Sequence, residues 1–329
     1  SFPTRRSSDL LIPNISMEIF RRKLKAITDA VDWRVRLKFG DEAIDNRIVG
    51  AGFRYRQFLE KTTFFGIAGS VGKTTAKELL VGVLNVRGRT IGNPNSLNAA
   101  PEIAKVVLRT RPWHKFCVAE LGETAPGSLD KQLAVLQPSI GIITVVGDDH
   151  LAAFGSRQAI ALEFAKLVQT TPTHGTIVLN LDDQLVAALS KDAKCRVITY
   201  GTCAIADLQA TEIVSIWPDP LQFTATYKGE SVSIRTQLNG KQLLTSALAA
   251  IGGGLAAGLT LSDCAKGISS AFPAEGRMHR PKLVQADPGP GRRHHEEKRR
   301  KIRQVLILFL PLSSMKCKVG FGVWGLGFG

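Results

Sequence analysis

The chain has 329 residues, room for about two domains at roughly 150 residues each, and its 44% hydrophobic and 22% charged content excludes wholesale disorder, collagen-like repeats and a long coiled coil. The formal net charge is +15, but the last 49 residues alone carry +7, with 10 Lys/Arg against 3 Asp/Glu. No aromatic residue is interleaved in the run Arg292 to Arg303 to stack on bases, so that charge reads as a solvated tail and no specific nucleic-acid partner is expected.

Residues 1–61 form a basic N-terminal segment in which the stretch at about 17–30 is predicted helical, with Ile19, Leu24 and Ile27 on one side. It shows no apolar signal-peptide core. Thr62 to Ala68 reads as a buried strand and Thr74 to Val86 as the helix after it. Further strands are predicted at Phe116–Leu121, Ile140–Val146, Thr176–Leu179 and Arg196–Tyr200, alternating with helices near Ala100–Arg109, Leu129–Leu136, Ser156–Thr170 and Gln184–Leu189. Near-continuously apolar strands alternating with helices indicate a parallel sheet covered on both faces. Beyond Tyr200, short strands at Leu208–Ile216, Leu221–Tyr227 and Ser231–Gln237, the last two joined by Lys228-Gly229-Glu230, suggest an antiparallel addition.

Gln242 to Ser262 is 21 residues without a charge, long enough to cross a bilayer. Its Thr and Ser residues and the Gly252-Gly253-Gly254 run instead suit a helix packed closely on a sheet, so no transmembrane segment is expected. A last helix is predicted from Ser262 to Ala271. From Pro281 the chain is basic, then Gly-rich, and no periodic element is assigned. The five cysteines, Cys117, Cys195, Cys203, Cys264 and Cys317, are scattered and unpaired in sequence, which points to a reducing, cytoplasmic setting without a disulfide frame or zinc site. The expected fold is α/β, a mostly parallel P-loop-type sheet with helices on both faces and a small antiparallel addition, spanning residues 62–280 between the basic N-terminal segment and a C-terminal tail, 281–329.

Gly66-Ile67-Ala68-Gly69-Ser70-Val71-Gly72-Lys73-Thr74-Thr75 lies between a predicted strand and helix. Glycines let backbone N–H groups turn in around phosphate oxygens, the helix N-terminus adds positive potential, and Lys73 can reach terminal phosphates, with the Thr74 hydroxyl on Mg²⁺. Gly69, Ser70, Val71, Gly72, Lys73, Thr74 and Thr75 are therefore the candidate ATP-binding residues. The strict G-x-x-x-x-G-K-[ST] spacing is not met, because the first glycine lies one residue early. Taken alone, the loop leaves the reaction open, since switches, motors, kinases and ligases all use one.

The motif G-x-x-G-x-x-G-K-T-T resembles the nucleotide loop of the Mur ligase family, and the likeness continues in order. Gly92-Asn93-Pro94-Asn95-Ser96-Leu97-Asn98 is similar to the family's Asn-rich segment, and Glu120-Leu121-Gly122 with Pro126-Gly127 resembles its E-M-G…P-G element. Gly147-Asp148-Asp149-His150-Leu151 followed by Phe154-Gly155-Ser156 looks like H-L-E-x-F-G-S, most similar to the branch that adds D-alanyl-D-alanine to a muramoyl tripeptide. Val178 to Asp183 and Glu275-Gly276-Arg277-Met278 also match, so the resemblance covers about residues 63–280.

The resemblance implies an ATP-dependent carboxylate–amine ligase acting through an acyl phosphate in peptidoglycan precursor synthesis. Its partners would be a nucleotide-sugar peptide and an amino acid or dipeptide, acted on by a cytoplasmic monomer. Lys73, Glu120 and His150 are then the implied catalytic residues. Thr74 and Glu120 would hold one Mg²⁺, and His150 would help to hold a second. Asn95, Asn98 and Ser156 are weaker substrate candidates. Read as residues alone, Glu120 could equally be a salt-bridge partner and His150 a solvated side chain, Asn95 and Asn98 could only cap the helix starting near Pro101, and Asp182 or Asp183 could be an N-cap. A folylpolyglutamate synthase-like ligase and a bare nucleotide-binding module are the alternatives.

The sequence also departs from the pattern. The lysine that family members carbamylate, 14 residues after the histidine, is here Phe164, and Lys166 lies about 200° further round the helix. The family's G-x-H-N reads Gly240-Lys241-Gln242-Leu243. Only about 60 residues precede the loop and nothing after Met278 resembles a closing C-terminal domain, so the sequence is expected to be part of a longer protein and weak or inactive in ligation alone.

Overall fold

A computed structural model describes residues 40–217 and 219–271. The predicted helix at about 17–30, the Glu275–Met278 match and everything from Pro281 onward, Cys317 included, lie outside them.

In chain order the elements are α1 (Asp41–Arg56), β1 (Thr63–Ala68), α2 (Lys73–Asn85), β2 (Thr90–Gly92), α3 (Ala100–Arg109), β3 (Phe116–Glu120), α4 (Ser128–Leu136), β4 (Ile140–Ile143), α5 (Leu151–Phe154), α6 (Arg157–Thr170), β5 (Thr176–Asn180), α7 (Gln184–Ala188) and β6 (Arg196–Gly201). They continue with β7 (Leu208–Val214), β8 (Gln222–Tyr227), β9 (Glu230–Arg235), α8 (Leu244–Ala256) and α9 (Leu261–Ser270), with single 3₁₀ turns at Leu189–Asp192 and Lys241–Leu243. One nine-stranded sheet has the order β2-β3-β1-β4-β5-β6-β7-β8-β9. It is parallel from β2 to the short β6–β7 pairing and antiparallel from β7 through β9. The expected parallel sheet with an antiparallel addition is what forms.

Burial explains the strand composition. Every residue of β3, β4 and β5 is buried, and neighbours on β1 point to opposite faces. Phe65 and Ile67 join Leu79, Leu80, Ile251 and Ile268 under α2, α8 and α9, while Phe64 and Ala68 join Ile103, Leu133 and Phe164 under α3, α4 and α6. The β8–β9 turn is set by Lys228 and Gly229 at φ 50° and 81°, a two-residue left-handed turn that closes the Tyr227–Glu230 pair.

Most predicted bounds hold to within a residue or two, but three strands are shorter than expected. Those predicted to end at Val146, Ile216 and Gln237 stop at Ile143, Val214 and Arg235. The uncharged stretch from Gln242 is not a membrane span. It forms a turn and the buried helix α8 against the sheet, and no helix among the described residues is long and apolar enough to cross a membrane.

The chain runs from β1 outward to β2, back to β3, and then across β1 to β4. That reversal opens a crevice at the carboxyl ends of β1, β3 and β4, the usual ligand position in an open α/β sheet.

Candidate active site

The loop after β1 fills this crevice. Gly69 has φ 131°, and a Cβ there would strike the Thr144 hydroxyl; Gly72 has φ 85°, and a Cβ there would lie 2.6 Å from Ser246 Oγ. Both glycines are thus required by backbone geometry and by close approach. Ser70 N donates to Val145 O at 2.8 Å, tying the loop to the segment after β4. α2 starts at Lys73 with no side-chain cap and no acidic residue in its first turn, which leaves positive potential facing the loop.

Lys73 is held within the site. Its Nζ lies 2.8 and 3.1 Å from the two carboxylate oxygens of Glu123 and also donates to Gly69 O. Glu123 is buried, and desolvation pushes its carboxyl above the usual carboxylate range, although Lys73 and His150 both pull the other way. His150 and Lys73 therefore bear on the same carboxylate. Sequence reasoning did not single out Glu123, for no periodicity marks it.

Glu120 ends β3 beside Ile67 of β1. Its backbone N–H donates to Asn93 Oδ1 at 2.9 Å, and Asn93 Nδ2 returns a 3.3 Å bond to Glu120 O. Asn98 Nδ2 donates to Glu120 Oε1 at 3.1 Å. The other carboxylate oxygen, Oε2, is buried without a hydrogen-bond partner among the described residues, as are the hydroxyls of Ser70 and Thr75. Orphaned buried acceptors and hydroxyls lining a phosphate-type loop fit a site for a hydrated Mg²⁺ and its nucleotide, because Mg²⁺ commonly takes one or two carboxylates and completes its shell with water and phosphate oxygen. Thr74, the other expected ligand, is buried one turn before Lys77, a second lysine that sequence reasoning passed over.

Of the readings open for Asn95 and Asn98, capping of the following helix is not what forms. Ala99 occupies the N-cap without a side-chain bond, Asn98 reaches Glu120, and Asn95 takes φ 51° in the left-handed region. Ser156 does act as an N-cap, its hydroxyl accepting from Ala159 N at 3.1 Å on α6. Asp183 caps α7 through Leu185 and Val186 and also accepts from Val146 N at 2.8 Å. His150 is exposed, with φ 58°, at the start of α5. A cavity of about 440 Å³ lies beyond the ends of β4 and β5, with Val145, Arg157, Asn180, Asp182 and Thr245 among its lining residues.

A second metal bridged by a carbamylated lysine does not fit. Phe164 is fully buried in the core under α6, and Lys166 pairs with Asp130 and Glu163 at 2.7 and 3.0 Å. No group of three or more His, Cys, Asp or Glu side chains among the described residues is placed to hold a metal ion.

Over residues 67–254 the chain matches the Mur ligase middle domain, more than half its length. It is 31% identical over 211 residues to a UDP-N-acetylmuramoyl-tripeptide–D-alanyl-D-alanine ligase of Mycobacterium bovis, an alignment covering 64% of this chain and 41% of the relative. Among solved structures it resembles MurF from Acinetobacter baumannii with a TM-score of 0.68 and 26% identity, covering 72% of this chain and 53% of that one. L. casei FPGS, at 14% identity and a TM-score of 0.55, covers 74% and 71% and shows the fold alone. The chain spans less than half the length of curated relatives such as the Mycobacterium bovis ligase.

Proposed function

Since the chain belongs to the Mur ligase family through its middle domain, we propose that it carries the ATP half-site of a ligase that joins the terminal carboxylate of a UDP-muramoyl peptide to the amine of an amino acid or dipeptide. The observation that carries this reading is the meeting, at one crevice, of the glycine-bent loop ending in Lys73 with a buried Glu120 oxygen that has no hydrogen-bond partner among the described residues.

In the proposed reaction the substrate carboxylate attacks the γ-phosphorus of ATP, the bond to the β-phosphate bridging oxygen breaks, and ADP leaves. The amine then attacks the acyl carbon, a C–N bond replaces the C–O bond to phosphate, and phosphate and a proton depart. Two anions must approach each other, so catalysis is largely charge neutralisation and positioning. Lys73, the loop N–H groups of residues 69–75 and the N-terminus of α2 would bind and orient the β- and γ-phosphates. Thr74 and Glu120 would hold Mg²⁺, which supplies further positive charge at those oxygens. His150 is proposed as a polar contact at the acyl end, with Asn95 and Asn98 on the substrate side. A second ion would find no bridging lysine, because Phe164 stands at that position and is buried in the core.

The activity named for the Mycobacterium bovis relative and the His150 to Ser156 spacing support D-alanyl-D-alanine as the amine. The likeness to FPGS is one of fold and carries no such detail. The reading includes a cytoplasmic monomer in peptidoglycan precursor synthesis, with residues 62–280 as the ATP-binding domain. It is tested by ADP and ATP binding to the wild-type chain and to Lys73→Ala, then by phosphate release dependent on UDP-muramoyl tripeptide and D-alanyl-D-alanine in the full-length protein. Nucleotide affinity unaffected by Lys73→Ala would overturn it.

A further inference from the structure

Lys77 lies in the middle of α2 with no solvent exposure. A fully buried ammonium costs several kcal/mol in desolvation unless it is well paired, and an apolar residue would pack the same face at no such cost. Its hydrogen bonds show what the charge does. Nζ donates to Asn93 O at 2.7 Å and to Asn95 O, and sits 3.1 Å from Glu78 Oε1. Two hydrogen bonds and the Glu78 ion pair hold the ammonium, and Glu120 Oε2, 4.0 Å away, lies beyond hydrogen-bond reach. Lys77 thereby offsets the charge of Glu120 without covering the oxygen.

The two carbonyls it grips belong to the Asn-rich segment, which in turn holds Glu120. Asn93 makes reciprocal bonds to the Glu120 backbone, and Asn98 fixes Oε1. Asn95 is kept at a positive φ of 51°, a conformation costing about 1 kcal/mol or more unless its surroundings hold it. The relay runs from α2, through the 93–98 segment, to the end of β3.

We propose that Lys77 is a positioning residue of the nucleotide site: by clamping the carbonyls of Asn93 and Asn95 it fixes Glu120 with Oε1 engaged and Oε2 open for a nucleotide-bound divalent cation. This rests on the ATP-site reading above. The test compares Kd for ADP in excess EDTA with Kd in Mg²⁺ for the wild-type chain, Lys77→Met and Asn98→Ala, with folding followed by circular dichroism. The wild type is expected to bind more tightly in Mg²⁺. Lys77→Met is expected to reduce that Mg²⁺ enhancement by at least about fivefold, while Kd in EDTA stays within about twofold. Asn98→Ala leaves Lys77 and its burial intact and is expected to give the same selective loss, so it decides the matter if Lys77→Met does not fold. Retention of the full enhancement by a folded Lys77→Met, or by Asn98→Ala when Lys77→Met does not fold, overturns the proposal. So does an equal weakening with and without Mg²⁺, the mark of a purely structural lysine. Absence of ADP binding or of Mg²⁺ enhancement in the wild type would instead sink the ATP-site reading, and this proposal with it.

Discussion

Lys73 and Glu123 hold each other in an ion pair with side chains only 12% and 1% exposed, the ammonium 2.8 Å from Oε1, where the phosphate loop turns into α2. The ammonium proposed to meet a nucleotide's terminal phosphate already has an anionic partner.

Binding must therefore compete with Glu123 for Lys73. In Glu123→Gln the competitor is neutral, and ATP affinity is expected to rise roughly three- to tenfold, equivalent to about 0.7–1.4 kcal/mol. Isothermal titration of the two proteins checks this. An unchanged or weaker Kd would mean that Lys73 engages phosphate without leaving Glu123.

The same carboxyl gives a pH signature. Burial raises the Glu123 pKa above its ordinary value of 4.5, so the folded protein takes up this proton more readily than the unfolded chain. The resulting stability is fully present below about pH 4.5 and is lost as pH rises through the raised value. The stability difference between wild type and Glu123→Gln should thus move against the wild type as pH rises through that window and level off above it. Urea unfolding of both proteins at a series of pH values reads the sign, and an opposite slope would show that Lys73 outweighs burial.

Gly69→Ala should damage both fold and function. Its φ of 131° disfavours any side chain, and the new methyl would meet the Thr144 hydroxyl and the amide of Thr144 at 3.0 Å. A loss of about 2–4 kcal/mol in unfolding free energy is expected, together with at least about tenfold weaker ADP binding. A near-neutral result in both measurements would show that the loop relaxes freely.

Glu163 is buried on α6, and its carboxylate accepts from Gly127 N at 3.0 Å and Leu129 N at 2.8 Å, capping α4 from another helix. Glu163→Ala strands both amides and is expected to cost about 2–4 kcal/mol, lowering Tm by roughly 5–12 °C in a domain of this size. Glu163→Gln, which keeps one acceptor oxygen, should fall between. Equal Tm for all three proteins would remove this carboxylate from the account of the 122–129 loop.

The sheet and the loop were legible because their signals are local. Phe64 to Ala68 is an unbroken apolar run and Gly69 to Thr75 a spaced glycine motif, each readable in a ten-residue window. α1 was not, because charged and polar residues make up about half of Asp41 to Arg56, with two glycines and only Gly52 fully buried, so its apolar stripe is weak. The three-residue β2 is too short to carry a pattern. Lys77 did leave a trace, one turn from Thr74 and Leu80 on the buried face of α2, where a charge on an apolar stripe calls for a partner. Glu123 left none, since Lys73 is brought to it by the parallel pairing of β1 with β3, a long-range event no window contains.

Gly252, Gly253 and Gly254 leave α8 without side chains at three successive positions where it meets the sheet and its neighbouring helices. A methyl at these positions would lie 2.6 Å from Val178 Cγ1, 2.8 Å from Ile142 Cδ1 and 2.6 Å from Val83 Cγ1 respectively. Ser246, about 9 Å back along the same helix, donates through Oγ to Gly72 O at 3.2 Å. Any bulk added there would lift the helix and carry Ser246 away from the bend it steadies. The proposed nucleotide loop, which the glycines never touch, thereby adds its own limit to what this stretch can accept.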